Sequence, residues 1–362
     1  MSATELTQAI VQFGWMATAG IHVFAALILI WVLLLQSMRR RTVRRQARLM
    51  RIWQPLLVEC LMAIPPTLPT IEPRDHHRFL LLWNHIQETI KGTATEQLND
   101  VARRLGLAEV AIRLLRKTGL RDRLLAVTTL GRMKETSAWN DLLLLAQSEN
   151  PMLSLEAVHA LVRINAPRAV PCVAPSIARR RDWSPLKVTS ILSEAGPPIV
   201  AAALVQIMPV AEPAVLARLI RHLASTRCAT ALPPIREYLA QDQLSDEVTA
   251  ACLSFFGECS DPQDLPTIRA YLGHPVWFVR LQATVALGKV GLPEDEVLLI
   301  GLLEDAHWWV RYRAAEALTN LPSMNEDKME RLQMTLPSLE AQEILIPFMA
   351  KLRLKHRALK AA

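Results

Sequence analysis

The sequence predicts an all-α protein in which one N-terminal transmembrane helix precedes an α-α superhelical solenoid. Three observations favour this fold class. Glycine accounts for only 12 of 362 residues, about half its usual share, which disfavours the tight turns of an all-β fold. A stretch of 21 residues near the N-terminus carries no charge. Apolar residues recur about every 31 residues over the rest of the chain, without the two-residue alternation that strands show.

The uncharged stretch, Trp15–Leu35, is long enough to cross a bilayer core of about 30 Å. No Lys or Arg precedes it, whereas seven arginines follow it, namely Arg39, Arg40, Arg41, Arg44, Arg45, Arg48 and Arg51. The positive-inside rule therefore predicts a single-pass protein of the cytoplasmic (inner) membrane. We expect a short extracytoplasmic N-terminus at 1–14, a transmembrane helix at 15–38 and a basic juxtamembrane segment at 39–63 that contacts anionic lipid head groups in the cytoplasm.

His22 is the only ionisable residue within the predicted span. It has two interpretations. The imidazole contacts another transmembrane helix, whose close approach Gly20 would permit, because polar groups in hydrocarbon seek polar partners. Alternatively, a neutral imidazole bonds to the backbone or to Thr18 within its own helix.

Four prolines in the segment 64–73 exclude a regular helix and predict an extended connector. Apolar residues at three- and four-residue steps predict a helical juxtamembrane or N-capping region at 74–118. Asp75-His76-His77 matches a triplet of metal-dependent phosphoesterases, but the additional Asp/His motifs of that family do not follow. We expect a solvated helix start here and no metal site.

A repeat accounts for the remaining residues, 119–362. Each short Ala/Leu-rich segment ends at an apolar residue. These terminal residues are Leu130, Leu161, Leu192, Leu223, Phe256, Leu287, Leu318 and Met349. Every interval is 31 residues except one of 33. The best copies, 277–287 and 308–318, share six of eleven positions. Units of this length cannot bury a core alone, so stacked helix–turn–helix units are predicted, about 7–8 in number.

These two copies resemble the HEAT-repeat superfamily in its short form of about 31 residues, the phycobilisome-lyase-like HEAT repeat. The resemblance rests on Val279, Arg280, Ala283, Ala286 and Leu287, and on Val310, Arg311, Ala314, Ala317 and Leu318. It implies a membrane-anchored bacterial HEAT-repeat protein. Family resemblance implies a fold more directly than an activity: most such arrays are protein-binding scaffolds, and a minority are enzymes or nucleic-acid binders.

The same resemblance implies that the arginine after valine, Arg280 or Arg311, pairs with an acid in a ladder between repeats, with Asp305 as a candidate. The alternative is that these arginines form a positively charged row along one edge of the solenoid and bind acidic groups of a partner. The acids at Glu258, Asp261 and 294–296 lie in predicted turns, where we expect solvated caps.

Aromatic residues cluster at Trp277, Phe278, Trp308, Trp309 and Tyr312. The repeat places Trp277 in register with Trp308 and Phe278 with Trp309. Two adjacent helical positions cannot both face the core, so we expect one column to be buried and the other exposed. An exposed aromatic column flanked by Arg280 and Arg311 is typical of a protein-binding hot spot. The alternative is that these rings pack the turns between helices.

One further unit carries an aromatic residue in the Phe278 column. This is Trp183, which follows the triplet 179–181 of three arginines. We expect the triplet to be a solvated helix end, with an acidic-partner contact as the alternative.

The sequence contains no nucleophile-elbow, phosphate-loop, zinc-protease or dinucleotide-binding motif and no paired-cysteine metal site. His159, His222, His274 and His307 are isolated, so we expect edge or packing roles for them. We therefore predict no enzyme activity, cofactor, metal or small-molecule substrate. The prediction is a membrane-anchored scaffold whose cytoplasmic solenoid binds a protein, for example a membrane glycosyltransferase of envelope or exopolysaccharide synthesis. A HEAT-fold lyase or glycosylase-like enzyme is one alternative.

A nucleic-acid binder is the other alternative, and the net charge of +7 is typical of such proteins. Residues 1–54 contain seven arginines and one acid, which leaves 34 basic and 33 acidic residues in the rest of the chain. The excess positive charge therefore lies beside the predicted span, where it indicates membrane topology. It does not indicate a basic face on the solenoid.

Overall fold

The structure is a computed structural model that describes residues 3–65, 67–90, 92–241 and 244–361. Before Leu27 the side chains described are those of Trp15, His22 and Phe24, and the side chains at 38, 41, 42 and 354–361 lie outside the description. The described part is helical and contains no strand. It divides into two compact units, Met1–Met133 and Lys134–Ala362.

The first unit is built from one long helix and four short ones. These are α1 (Ala3–Glu59), α2 (His76–Thr89), α3 (Thr93–Arg104), α4 (Leu107–Leu115) and α5 (Leu120–Met133). Near its C-terminal end α1 buries Leu49, Trp53 and Leu57, and the Trp53 ring meets Phe79 of α2 edge-on at 4.7 Å between centroids. One face of the second half of the predicted basic juxtamembrane segment therefore contributes to the core of this unit.

Within the described residues, no single helix combines the length and the apolar character that a membrane crossing requires. Leu27–Ser37 of α1 is a shorter apolar stretch, and the segments Pro185–Ala195 and Pro197–Val210 meet the criterion only as a pair bent by 115°. For ten of the 24 residues in the predicted span at 15–38, the exposure lies outside the description, so the anchor stays a prediction.

The second unit is a solenoid of helix pairs. Its helices are α6 (Trp139–Ala146), α7 (Pro151–Arg179), α8 (Pro185–Ala195), α9 (Pro197–Ile207), α10 (Pro213–Thr226), α11 (Leu232–Leu239), α12 (Asp246–Cys259), α13 (Leu265–Ala270), α14 (Trp277–Val290), α15 (Glu296–Gly301), α16 (Trp308–Asn320), α17 (Glu326–Thr335) and α18 (Leu339–Ala361). The longer helices α10, α12, α14 and α16 pack side by side in chain order. This arrangement confirms the predicted all-α solenoid.

Helix α7 contains parts of two repeats. It bends at Asn165, whose φ of −159° and ψ of 91° are not helical. The Asn165 side-chain oxygen accepts a hydrogen bond from the backbone N–H of Arg168 at 3.0 Å, so this residue caps the second half of the helix. The first half therefore pairs with α6, and the second half begins the next repeat.

The 31-residue period places one buried side chain in each repeat of the second unit. Leu161, Leu192, Leu223, Phe256, Leu287, Leu318 and Met349 are all buried. Pro151, Pro185 and Pro213 occupy the first positions of α7, α8 and α10, where the missing N–H of proline has no cost.

Two glycines set the spacing between neighbouring longer helices. A Cβ atom on Gly257 of α12 would lie 2.8 Å from the Cα of Ala286 in α14. A Cβ on Gly288 of α14 would lie 2.7 Å from the Cβ of Ala317 in α16. The two contacts are equivalent positions of consecutive repeats, and they allow close packing of α12, α14 and α16.

Candidate protein-interaction surface

The aromatic residues lie in the first turns of α14 and α16, which begin at Trp277 and Trp308. The exposed fractions are 38% for Trp277, 46% for Trp308 and 48% for Trp309. The expectation that one column would be buried is therefore wrong. The cause is the position of the helix start, because the first side chain to reach the core is the valine two residues into each helix, such as Val310, which is fully buried.

The exposed rings contact one another across the two repeats. Trp277 stacks on His307, with 3.8 Å between centroids and 6° between planes. Trp308 meets Trp309 edge-on at 4.7 Å and lies nearly parallel to Tyr312 at 5.1 Å. We call Trp277, His307, Trp308, Trp309 and Tyr312 the aromatic surface. Mutual packing of this kind restrains the rings and lowers the entropy that they lose when a partner binds.

His307 is the member that the sequence did not identify as part of the site, since an edge or packing role was expected for it. It stands one residue before the Trp308 column and stacks on the tryptophan of the preceding repeat. Phe278, which was predicted as part of the site, is half-buried and lies edge-on to Trp277 at 5.9 Å. Trp183, in the same register as Phe278, is buried and donates from Nε1 to the Ser154 hydroxyl at 3.0 Å.

The two candidate arginines form internal ion pairs. Arg280 donates from Nε and Nη2 to the Asp305 carboxylate at 2.7 and 2.8 Å, which confirms the predicted pairing. Arg311 lies 2.6 Å from a carboxylate oxygen of Glu340 and donates to the Asp305 carbonyl. Both guanidinium groups are mostly buried, so the geometry favours the ladder over a positive row open to a partner.

Burial by itself would raise the pKa of Asp305, but the hydrogen bonds from Arg280 and from the His307 N–H hold it below its ordinary value. Asp305 is therefore ionised at neutral pH. It joins α14 to the turn that begins α16, and so it fixes the distance between the two halves of the aromatic surface.

A second ladder runs between the shorter helices. Arg236 of α11 donates from Nε and Nη2 to Asp264 at 2.6 and 3.1 Å, and Arg269 of α13 bonds to Asp295 at the same two distances. Asp264 and Asp295 are almost fully buried. Charge-assisted bidentate pairs of this kind are geometrically specific, so they set the register between repeats.

The turn acids combine two roles. Asp261 is a cap, as expected, because its carboxylate accepts the backbone N–H of Gln263 at 3.0 Å. The ladders also use these acids, which the sequence did not predict. Asp261 and Glu294 are additional partners of Arg236 and Arg269. Glu258 lies between Arg227 and Lys289, which are one repeat away on either side. The period could have identified these pairs, because arginines and acids recur at nearly constant separation.

Arg313 is a charged residue at the edge of the aromatic surface, beside Tyr312. Its guanidinium carbon lies 5.9 Å from the centroid of the Tyr312 ring, and its Nη1 bonds to Glu316 at 2.5 Å. The Tyr312 ring also contacts Phe348 of α18 at 5.0 Å. The aromatic surface is thus supported by the next repeat.

The predicted membrane-surface arginines belong to α1. Six of them are exposed, namely Arg39, Arg40, Arg44, Arg45, Arg48 and Arg51. His22 is also exposed. The exposure of Gly20 and the side chain of Arg41 lie outside the description.

The Asp75-His76-His77 triplet begins α2. Asp75 accepts a hydrogen bond from Arg78 at 3.0 Å, and His77 lies 3.1 Å from Asp122. In the described ranges no three His, Cys, Asp or Glu side chains converge in a way that could hold a metal ion.

Comparison with known proteins supports the repeat assignment. Residues 242–319 match the family model of HEAT repeats. This range contains α12 to α15, nearly all of α16, and the Arg269–Asp295 and Arg280–Asp305 pairs. The region from α12 to α16 of the second unit is therefore similar to HEAT repeats. No curated protein matches the chain.

Solved structures include two similar chains. One is from the complex of CpcE and CpcF of phycocyanin lyase from a Nostoc species, with 19% identity, coverage of 68% of this chain and 94% of that chain, and a TM-score of 0.29. The other is an engineered protein, with 14% identity, coverage of 81% and 88%, and a TM-score of 0.33. These values carry no argument about function.

Proposed function

We propose that this protein is a non-catalytic, membrane-anchored scaffold whose HEAT-like solenoid binds a protein partner through the aromatic surface. The observation that carries the proposal is the half-exposure of Trp277, Trp308 and Trp309 on two neighbouring helices. Exposed apolar patches mark interaction sites in folded proteins, and Trp and Tyr dominate the binding energy of protein interfaces.

The charges around the aromatic surface support a protein partner over a nucleic acid. A nucleic-acid face needs unpaired cations that can neutralise phosphates, whereas Arg280 and Arg311 are occupied by Asp305 and Glu340. What the surface offers is apolar ring area with Arg313 at its edge. It suits a partner that presents apolar side chains.

The proposal places the solenoid on the cytoplasmic side of the inner membrane. Support comes from the uncharged stretch at 15–35 and from the arginines that follow it, six of which are exposed on α1. Such arginines would also lie against anionic lipid head groups. The partner would then be an integral membrane complex, and a glycosyltransferase of envelope or exopolysaccharide synthesis is our specific proposal.

A scaffold role without catalysis agrees with the use of charged residues in the solenoid. Asp264, Asp295 and Asp305, the most buried carboxylates of the ladders, each bind an arginine of the preceding repeat. Acids held in this way link repeats and are not free to exchange protons with a substrate.

The test is co-purification of the full-length protein from native membranes in a gentle detergent, followed by mass spectrometry. The double variant Trp308→Ala/Trp309→Ala should lose a membrane-protein partner that the wild type retains, without a lower melting temperature. Leu144→Ala is the matched control, because Leu144 of α6 is 70% exposed but distant in sequence from the surface. Equal partner recovery from wild type and double variant would refute the assignment.

A further inference from the structure

A pocket of about 410 Å³ lies between the end of α7, the start of α8 and helix α10. Its volume is within the range of small-molecule sites. One wall is apolar and is formed by Ile177, Trp183 and Val188. Four arginines also line the pocket, namely Arg180, Arg181, Arg218 and Arg221. No carboxylate belongs to the described lining.

The unpaired charge distinguishes these arginines from those of the ladders. Arg218 donates from Nη1 to the carbonyl oxygen of Ala178 at 2.9 Å. Arg181 and Arg221 are exposed, and within the described residues neither forms an ion pair. Only Arg180 has a carboxylate partner, Asp182 at 2.6 Å. Three guanidinium groups at one pocket therefore lack counter-charges.

The residue before the buried column differs between this region and the later repeats. In α14 and α16 the residue before the buried column is Ala286 or Ala317, which allows the close contacts with Gly257 and Gly288. In α10 the same position is His222, whose larger side chain lines the pocket. Helices α8 and α10 pack less extensively than α10 and α12, so the pocket lies beside a loosely packed pair of helices.

The pKa of His222 also depends on the positive charge around the pocket. Burial, together with the charges of Arg218 and Arg221, lowers the pKa of His222 to about 4. Its imidazole is therefore neutral at pH 7. The positive charge of the pocket comes from the arginines alone, and an anion in the pocket would relieve their repulsion.

We propose that this pocket binds a phosphate ester of a small molecule, with Arg181, Arg218 and Arg221 around the phosphate and the apolar wall against the rest of the ligand. Guanidinium groups match phosphate oxygens in bidentate geometry, and several of them suit a dianion better than a single carboxylate. The phosphate could come from a soluble nucleotide or from a phospholipid head group. The site is independent of the aromatic surface and would make the scaffold responsive to a ligand.

The test is isothermal titration of the full chain in detergent micelles with adenosine monophosphate and, separately, with monomeric dihexanoyl phosphatidic acid. Saturable binding of either probe is expected, and the probe that binds identifies the source of the phosphate. Arg181→Ala/Arg221→Ala should weaken binding by about tenfold or more, because each removes a charge-assisted hydrogen bond. Both residues are exposed, so the fold should persist.

The matched control is Arg179→Ala/Lys187→Ala. It removes the same charge from exposed positions on α7 and α8 that lie near the pocket in sequence but do not line it. We expect its affinity to remain within about threefold of the wild type. The proposal is overturned if neither probe binds, if both double variants lose affinity equally, or if a polyglutamate peptide binds at this site and the phosphate esters do not.

Discussion

Arg280 holds Asp305 by two hydrogen bonds, from Nε to Oδ2 at 2.7 Å and from Nη2 to Oδ1 at 2.8 Å. The remaining nitrogen of Arg280 donates to the carbonyl oxygens of His274 and Pro275, and Asp305 also accepts the backbone N–H of His307. One ion pair therefore connects the start of α14, the preceding turn and the start of α16. Since the aromatic surface spans these segments, its geometry depends on this pair.

Removal of the acid from this pair should destabilise the solenoid. The Asp305→Ala change leaves the mostly buried Arg280 without its carboxylate, and the loss of one partner of a buried pair costs about 3 kcal/mol of the free energy of unfolding. Urea denaturation of the full chain in micelles, followed by circular dichroism, measures this. Glu326→Ala removes an acid from the exposed Arg353 pair and should cost less than about 1 kcal/mol. Similar costs for the two variants would contradict this account.

Gly288→Ala should destabilise the protein although alanine favours helices. The new Cβ would lie 2.7 Å from the Ala317 Cβ, and overpacking of this kind costs about 1–3 kcal/mol. Gly301→Ala in α15 is the control, because no atom lies within 4 Å of its new Cβ and the helix gains up to about 1 kcal/mol. The second change Ala317→Gly should restore most of the loss from Gly288→Ala. A stable single variant would show that the helices are not in close contact.

The ion pairs of Glu194 predict an acid-sensitive region. Hydrogen bonds from His159 at 2.6 Å and from Arg163 at 2.8 Å lower the pKa of Glu194 from 4.5 to about 2, against the opposing effect of burial. The carboxylate therefore contributes stability above about pH 4.5, and this contribution is lost as the pH falls through about 2. Glu194→Gln should cost more stability at pH 6 than at pH 2 in urea denaturation.

The matched control for that experiment is Glu212→Gln, which removes an exposed carboxylate at the start of α10. It should leave the pH dependence of stability unchanged. If Glu194→Gln and Glu212→Gln give the same pH profile, the His159 and Arg163 contacts do not contribute in solution.

The membrane anchor makes its own prediction. An arginine in the middle of a spanning helix costs about 2.5–3.5 kcal/mol of insertion free energy, so Leu29→Arg should shift the protein out of the membrane fraction after alkaline carbonate extraction. Val43→Arg is the control, since Leu29 and Val43 are 59% and 58% exposed on the same helix but Val43 lies beyond the predicted span. A wild-type protein that carbonate extracts fully would refute the anchor.

The repeat could be predicted from sequence because one buried position recurs at a constant interval. Leu223, Leu287 and Leu318 are each fully buried as their spacing requires. The Arg280–Asp305 pair was also predictable, since it follows from the family resemblance. The common origin of these successes is that a solenoid repeats its core contacts at each unit.

Features that depend on where a helix begins were not predictable in the same way. The exposure of both Trp308 and Trp309 follows from the start of α16 at Trp308, and element boundaries are the least certain part of a sequence-based assignment. The pocket has His222 in its lining, at a position where α14 and α16 have alanine. That substitution is visible in the sequence, but its effect on helix packing requires the structure.

Site-specific photo-cross-linking in intact cells tests the central claim most directly. A photo-reactive amino acid in place of Trp309 should yield an adduct with an integral membrane protein, and the same amino acid in place of Leu144 should not. Both positions are exposed, so probe accessibility is matched. No adduct at position 309, or the same adducts at both positions, would contradict the proposal that the aromatic surface is the binding site of the scaffold.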